Sequence, residues 1–275
     1  MITIQIMGGL GNQLFQIFTI IHLSLQSKNP FYFEYMPKLD RKDRPLYWNN
    51  FLRNLSIFIK PNIKCHKILR EPTHSFTPIP YQDFSQINVK LFGYFQSPKY
   101  FKSSEAAIFK MIKIQNHKNN IIQEFPNDFF KNTISMHFRI GDYINIQNCH
   151  PIQPIDYYIN SLLKLIQDTK KDNWNILYFY EKENAKLVEE KITRLKNHFS
   201  NLTFEGINHN LADWEQMVAM SLCQHNIIAN SSFSWWGAYL NDNKTKKVYY
   251  PKKWFGPKLI EKKVDDMFPN EWTII

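Results

Sequence analysis

Apolar and polar positions keep a regular rhythm in the second half of this chain and an irregular one in the first. From Thr133 onward, short apolar runs alternate with longer stretches of helical spacing. "TISMHFR", "NILYFY", "LTFEG", "HNIIAN" and "KKVYYP" read as strands. A segment near Asp156–Gln167, then "KENAKLVEEKITRLKNHF", "DWEQMVAMSLC" and "SSFSWWGAYL", read as the helices between them. Strands alternating with helices predict βαβ units and a parallel sheet, with right-handed crossovers giving a Rossmann-like layer. At the other end, "ITIQIM" leads through "GGLGN" into "QLFQIFTIIHLSLQ", a strand, a turn and a helix apolar on nearly every side, hence buried. Between residues 30 and 130 the periodicity is patchy and prolines are frequent. Long loops and short helices are expected there, with one strand near "VKLFGYF". The polar, Pro-containing stretch Asn119–Asn132 marks the boundary, giving domains 1–125 and 126–275.

Composition narrows the function classes. At 275 residues and 44% hydrophobic content, the chain has the core of a soluble globular protein. Its +10 charge attracts polyanions. The lysines are scattered and no nucleic-acid-binding signature accompanies them, so no nucleic-acid partner is expected. Three cysteines without CxxC spacing suggest a reducing compartment. The N-terminal strand pattern is not that of a signal peptide, and no apolar stretch is long enough to span a bilayer. A cytoplasmic protein is expected, able to rest on a membrane through its basic surface.

Three stretches carry candidate chemistry. In "TISMHFRIGDY" alternation predicts a half-buried strand that puts His137 and Arg139 on one face, just before a Gly-Asp turn. Arg139 suits a bidentate clamp on phosphate, and His137 could donate a hydrogen bond or titrate. The plainer alternative is a strand-end arginine meeting a carboxylate. "NSSFSWWGAYL" opens a helix with Ser231, Ser232 and Ser234, whose hydroxyls and first-turn amides suit an anion; the alternative for the tryptophans is core packing beneath the sheet. Gly237 inside that helix calls for a reason such as close helix packing. "MGGLGNQLFQ" lets backbone approach a ligand through Gly9 and Gly11, but its spacing is not GxGxxG; a tight turn capped by Asn12 is the alternative. The chain has no Asp-x-Asp, no HExxH, no P-loop and no GxSxG.

Together "GGLGNQLFQI", "GYFQSPKYF", "HFRIGDY", "MSLCQHNIIANSSFSWWGA" and "YPKKWF" resemble, in the right order, the α-1,2-fucosyltransferases of glycosyltransferase family 11, of the soluble bacterial type. The resemblance implies an α/β, GT-B-like fold, two Rossmann-like halves with a cleft between them. The first half would serve the acceptor side and the second would bind the GDP-sugar. It implies inverting transfer of L-fucose from GDP-β-L-fucose to the 2-hydroxyl of a terminal galactose in a glycan acceptor, with no metal or other cofactor required. By position, Arg139 would clamp the diphosphate beside His137, and Ser231, Ser232 and Ser234 would contact phosphate. Asp213 would reach the nucleotide, and Asn12 and Gln13 would face the sugar or acceptor. Asp142 would fix the loop or act near the acceptor. Asp142 and His137 compete as proton acceptor, with the diphosphate or water as alternatives. Ile140 stands where the family commonly has a second arginine; alternation puts it on the face opposite Arg139, where an apolar residue costs little. A different GDP-sugar such as GDP-colitose, a different linkage, a catalytically silent glycan- or nucleotide-binding protein, and a polyanion-binding module are the competing readings.

Overall fold

The computed structural model describes residues 1–37, 39, 44–80 and 87–275. It divides into two compact units, Met1–His117 with Lys262–Pro269, and Lys118–Glu261 with Asn270–Ile275. The chain thus passes between units at 117/118, not at 125/126, and a late segment joins the first unit.

Among the described residues of the first unit every strand pairing is parallel. The strand β1 (Ile2–Ile4) is wholly buried, and the turn after it leads into helix α1 (Leu10–Ser27). Then come β2 (Phe33–Glu34), β3 (Ile59–Lys60), β4 (Lys67–Arg70), β5 (Val89–Phe92) and helix α2 (Glu105–Ile112). One sheet runs β1-β5-β4 and a second pairs β2 with β3; a bridge from Ile2 to Phe31 brings the second alongside β1. The expectation of a single strand in this region therefore extends to four among the described residues. Strands as short as two residues leave no period to read. Phe15, Phe18 and Phe101 form an aromatic core beneath α1, with Phe18 and Phe101 edge to face at 5.2 Å.

Helix α3 (Ile114–Gln123) straddles the division. The second unit then follows the alternation predicted for it as far as β10, and a further strand, β11, was not foreseen. Its elements are β6 (Thr133–His137), α4 (Ile155–Thr169), β7 (Asn175–Phe179), α5 (Ala185–His198), β8 (Thr203–Gly206), α6 (Asp213–Leu222), β9 (His225–Ile227), α7 (Ser232–Tyr239), β10 (Val248–Tyr250) and β11 (Thr273–Ile274). The sheet is parallel throughout, in the order β11-β10-β9-β6-β7-β8. The chain winds from β6 out to β8, returns to the other side of β6 at β9, and continues to β11. This is the doubly wound order, and its winding reverses between β6 and β9.

The half-buried strand expected over "TISMHFR" is corrected here: β6 ends at His137 and all five of its residues are buried. It is a central strand covered on both faces, as parallel sheets require. Ile134, Met136, Phe138 and Ile140 enter one apolar cluster with Tyr158 and Leu162 of α4. Of the polar alternates, Ser135 is matched inside: its Oγ accepts from Asn226 Nδ2 of β9 at 2.7 Å.

Gly237 has the reason its position called for. A Cβ there would lie 2.7 Å from Met220 Cβ and 2.8 Å from its sulfur, so α7 meets α6 through a bare backbone. Crowding of this kind costs about 1–3 kcal/mol, against a gain of up to ~1 kcal/mol in helix propensity. Gly237→Ala is expected to lower stability by about 1–2 kcal/mol, read as a shift in urea midpoint at unchanged slope. Lys118, buried in α3, reinforces the other end of α7 by donating to the Leu240 carbonyl at 2.7 Å and pairing with Asp242 at 3.0 Å. No helix among the described residues is long and apolar enough to cross a membrane.

Candidate functional site

In open parallel sheets ligands bind at the carboxyl ends of the strands where the winding reverses. In the second unit that place lies between the ends of β6 and β9, and both unit-two motifs arrive there. The chain leaving β6 supplies His137, Arg139 and the turn Gly141–Asn145; the chain leaving β9 supplies Ile228 to Ser231 and the start of α7. Three tyrosine hydroxyls tie these ends down. Tyr158 donates to the His137 carbonyl at 3.0 Å, Tyr157 to the Ile228 carbonyl at 2.5 Å, and Tyr143 to the Asn230 carbonyl at 3.0 Å. Asn230 completes the frame by donating to the carbonyls of Pro151 and Trp254. A site on backbone fixed this way can hold a charge without reorganising.

Arg139 is the cation that the chain leaving β6 brings to that frame. Its guanidinium donates to Asp142 Oδ1 at 2.5 Å and to Glu181 Oε1, and lies 4.9 Å over the Tyr143 ring. Burial alone would weaken the cation, but Glu181, Tyr143 and Asp142 reverse this and raise the pKa. The carboxylate contact foreseen as the plainer alternative is therefore present, and it is double. Glu181 was missed in the sequence. It follows β7, the strand next to β6, so the strand-end rule that singled out Arg139 points to it as well.

His137 is 6% exposed, its ring 5.7 Å from Phe233 in the first turn of α7, and its Nδ1 is buried without a hydrogen bond. Burial first, and then the Arg139 charge, lower its pKa to about 3, so the imidazole is neutral near pH 7. Because the folded-state pKa lies below the unfolded value, His137 takes up protons preferentially in the unfolded chain. It costs nothing above about pH 6.5 and destabilises progressively as pH falls toward 3. His225, lowered to about 4 by burial and by Lys247 and Lys171, acts with the same sign. Urea midpoints measured across this range should fall with pH, and less steeply in His137→Phe than in the wild-type protein.

The serines divide. Ser231 is the N-cap of α7, its hydroxyl accepting from the Phe233 amide at 3.3 Å, and Ser232 is partly exposed at the first helical position. Ser234 differs from expectation: it is fully buried and its hydroxyl turns back toward the carbonyls of Ser231 and Ala229. A serine on the inner side of a first turn serves its own backbone. Asp213 opens α6, where its carboxylate accepts from the Trp214 amide at 2.7 Å, on an element apart from the β6 and β9 ends.

In the first unit the glycine-rich turn is capped by Gly9, not by Asn12. Gly8 has φ +78°, and a Cβ there would meet Asn12 Nδ2 at 2.5 Å; at Gly9 a Cβ would meet nothing within 4 Å. Gly11 is a buried residue of α1. Asn12, partly exposed, has its side-chain amide 2.7 Å from that of Gln96. Gln13 does not face outward: it is fully buried and donates to the carbonyls of Gly8 and Pro45, holding the turn from within. Among the described residues no group of three or more His, Cys, Asp or Glu is placed to hold a metal ion.

The profile described as Glycosyl transferase family 11 matches residues 1–275. The O-antigen biosynthesis glycosyltransferase WbnK of Escherichia coli is 30% identical over 177 residues, covering 60% of this chain and 55% of the relative. An alpha-1,2-colitosyltransferase of Escherichia coli is 28% identical over 197 residues, covering 68% and 63%. The matches thus span less than two thirds of these curated relatives. Among solved structures, an Arabidopsis thaliana FUT1 mutant in complex with GDP aligns with a TM-score of 0.50 at 10% identity, over 98% of this chain and 74% of that one. Escherichia coli ADP-heptose lps heptosyltransferase II aligns with 0.50 at 10%, over 100% and 89%. At these identities the likeness speaks for the fold, and it agrees with the α/β, GT-B-like architecture of two parallel-sheet halves. By the profile match along its whole length, the chain belongs to glycosyl transferase family 11.

Proposed function

We propose that this protein transfers L-fucose from GDP-β-L-fucose to the 2-hydroxyl of a terminal galactose, with inversion and without a metal ion. The observation that carries the reading is the meeting of His137, whose buried Nδ1 has no partner, with Phe233 in the first turn of α7 at the β6–β9 reversal, two residues before Arg139. Cationic fork, helix amides and a neutral imidazole suit a nucleotide diphosphate. Asp142 and Glu181 orient the guanidinium, and its remaining N–H groups serve the ligand. As the glycosidic bond breaks, charge gathers on the departing diphosphate, where donors already fixed lower the barrier. The attacking hydroxyl needs a proton acceptor. His137 is buried and Asp142 is partly exposed beside Arg139, so Asp142 is the candidate that an acceptor hydroxyl can reach. Ile140 lies in the apolar cluster on the face away from Arg139, and the clamp is assigned to Arg139 alone.

One observation favours a second donor. The relative at 28% identity is an alpha-1,2-colitosyltransferase, which points to GDP-colitose with the same linkage. Purified protein should be offered each donor with galactose-terminated acceptors in excess EDTA, and the product linkage determined. Fucosyl transfer to the 2-position is the expected result. Transfer of colitose alone would move the assignment to the second reading, and no transfer by folded protein would overturn both.

A further inference from the structure

In the first unit a chain of polar contacts starts at Asn12 and ends on the segment Lys262–Pro269. Gln96 Nε2 lies 2.7 Å from Asn12 Oδ1, Gln96 Oε1 lies 3.0 Å from His74 Nε2, and His74 Nδ1 lies 2.8 Å from the Lys263 carbonyl. The Lys263 carbonyl can only accept, so Nδ1 carries a proton in every state. The state of Nε2 then decides the rest. With His74 doubly protonated, Nε2–H donates to the Gln96 oxygen, the Gln96 NH2 donates to the Asn12 oxygen, and Asn12 has its own NH2 left to offer. With His74 neutral, Nε2 must accept, the Gln96 carboxamide turns over, and Asn12 follows. Asn12 then gives its NH2 to Gln96 and has its oxygen left to offer.

The backbone around this chain is pinned, so turning over the two carboxamides is the motion that remains. Glu71 accepts from the amides of Tyr94 and Phe95, holding Phe95 at φ +53°. The Gly93 carbonyl accepts from Gln16 Nε2 at 3.2 Å, and Ser97 donates to the Asp266 carbonyl at 2.5 Å. Charged and titratable groups around the imidazole are Glu71, Lys99, Tyr100, Lys262, Lys263 and Asp266, with Lys99 and Asp266 paired to one another. Burial and the Lys262 charge lower the His74 pKa, while its two hydrogen bonds oppose them, so the neutral state prevails near pH 7.

We propose that His74 is a positioning residue: acting through Gln96, it sets whether Asn12 offers a donor or an acceptor at the glycine-rich turn. The consequence for turnover rests on the proposed function, in which Asn12 meets a sugar hydroxyl; the coupling itself does not.

The test follows the side-chain amide resonances of Asn12 and Gln96, assigned with Asn12→Ala and Gln96→Leu, together with the His74 ring between about pH 4 and 8. The two amides should shift with the midpoint of His74, below its ordinary value, and stay flat in His74→Gln. Amides that ignore the titration of His74, that move equally in His74→Gln, or that show no joint transition in this range would overturn the proposal. In parallel, kcat/KM for the acceptor should change by about threefold to tenfold across the same midpoint, the worth of one net hydrogen bond, and lose that step in His74→Gln. Amides that follow His74 while the rate profile does not would leave the coupling standing and remove Asn12 from the substrate.

Discussion

Arg139→Lys is expected to lower kcat/KM by about 100-fold or more while the protein stays folded. Lysine keeps one positive charge but loses the planar fork, and this site uses the fork on several sides at once. One branch is taken by Asp142, another by Glu181, and the face rests on Tyr143. An ammonium has no plane to lay on the ring and cannot serve both carboxylates and a diphosphate from fixed directions. It would be drawn to the carboxylates and leave the phosphate. Steady-state kinetics with a GDP-sugar, beside GDP affinity by calorimetry, checks this. Both should fall together, and turnover within about threefold of wild type would take Arg139 out of the diphosphate site.

The second large effect is expected at Gly141. Its φ is +28°, and a Cβ there would fall on the Glu181 carboxylate. Gly141→Ala therefore strains the turn and displaces one of the two carboxylates that orient Arg139. The left-handed conformation costs a non-glycine residue about 1–2 kcal/mol, and the displaced ion pair adds to it. Activity should drop by about tenfold or more, well beyond the change in stability, because the guanidinium loses its orientation before the fold is lost. The double variant Gly141→Ala with Glu181→Ala separates the causes. If the clash with Glu181 is what matters, the glycine substitution should do little further harm once that side chain is gone. Full additivity would assign the loss to backbone strain alone.

Much of the second unit was legible because its helices are long enough to show a period and its short apolar strands alternate with them. β6, the helix at Asp213 and the serine-led start of α7 follow from spacing alone. What spacing could not give was who sits beside whom. Glu181 reaches Arg139 only because β7 pairs with β6, and Tyr157 and Tyr158 reach the ends of β9 and β6 only once α4 is laid across the sheet. Polar residues also misled where they serve the fold. Gln13 and Ser234 read as ligand contacts but satisfy carbonyls within their own units. Ser135 and His137 gave β6 the alternation of a half-exposed strand, while the structure buries both. The first unit resisted for a plainer reason. β2 and β3 are two residues each, and the contact from His74 to Lys263 spans 189 positions, a distance no local pattern records.

The central claim is that the reversal between β6 and β9 is a nucleotide-diphosphate site. A crystal structure of the protein with GDP tests it most directly. The diphosphate oxygens should lie within hydrogen-bonding distance of the Arg139 guanidinium and of the backbone amides that open α7 at Ser232. Well-ordered GDP bound elsewhere, with Arg139 still closed on Asp142 and Glu181 and no phosphate beside it, would contradict the account.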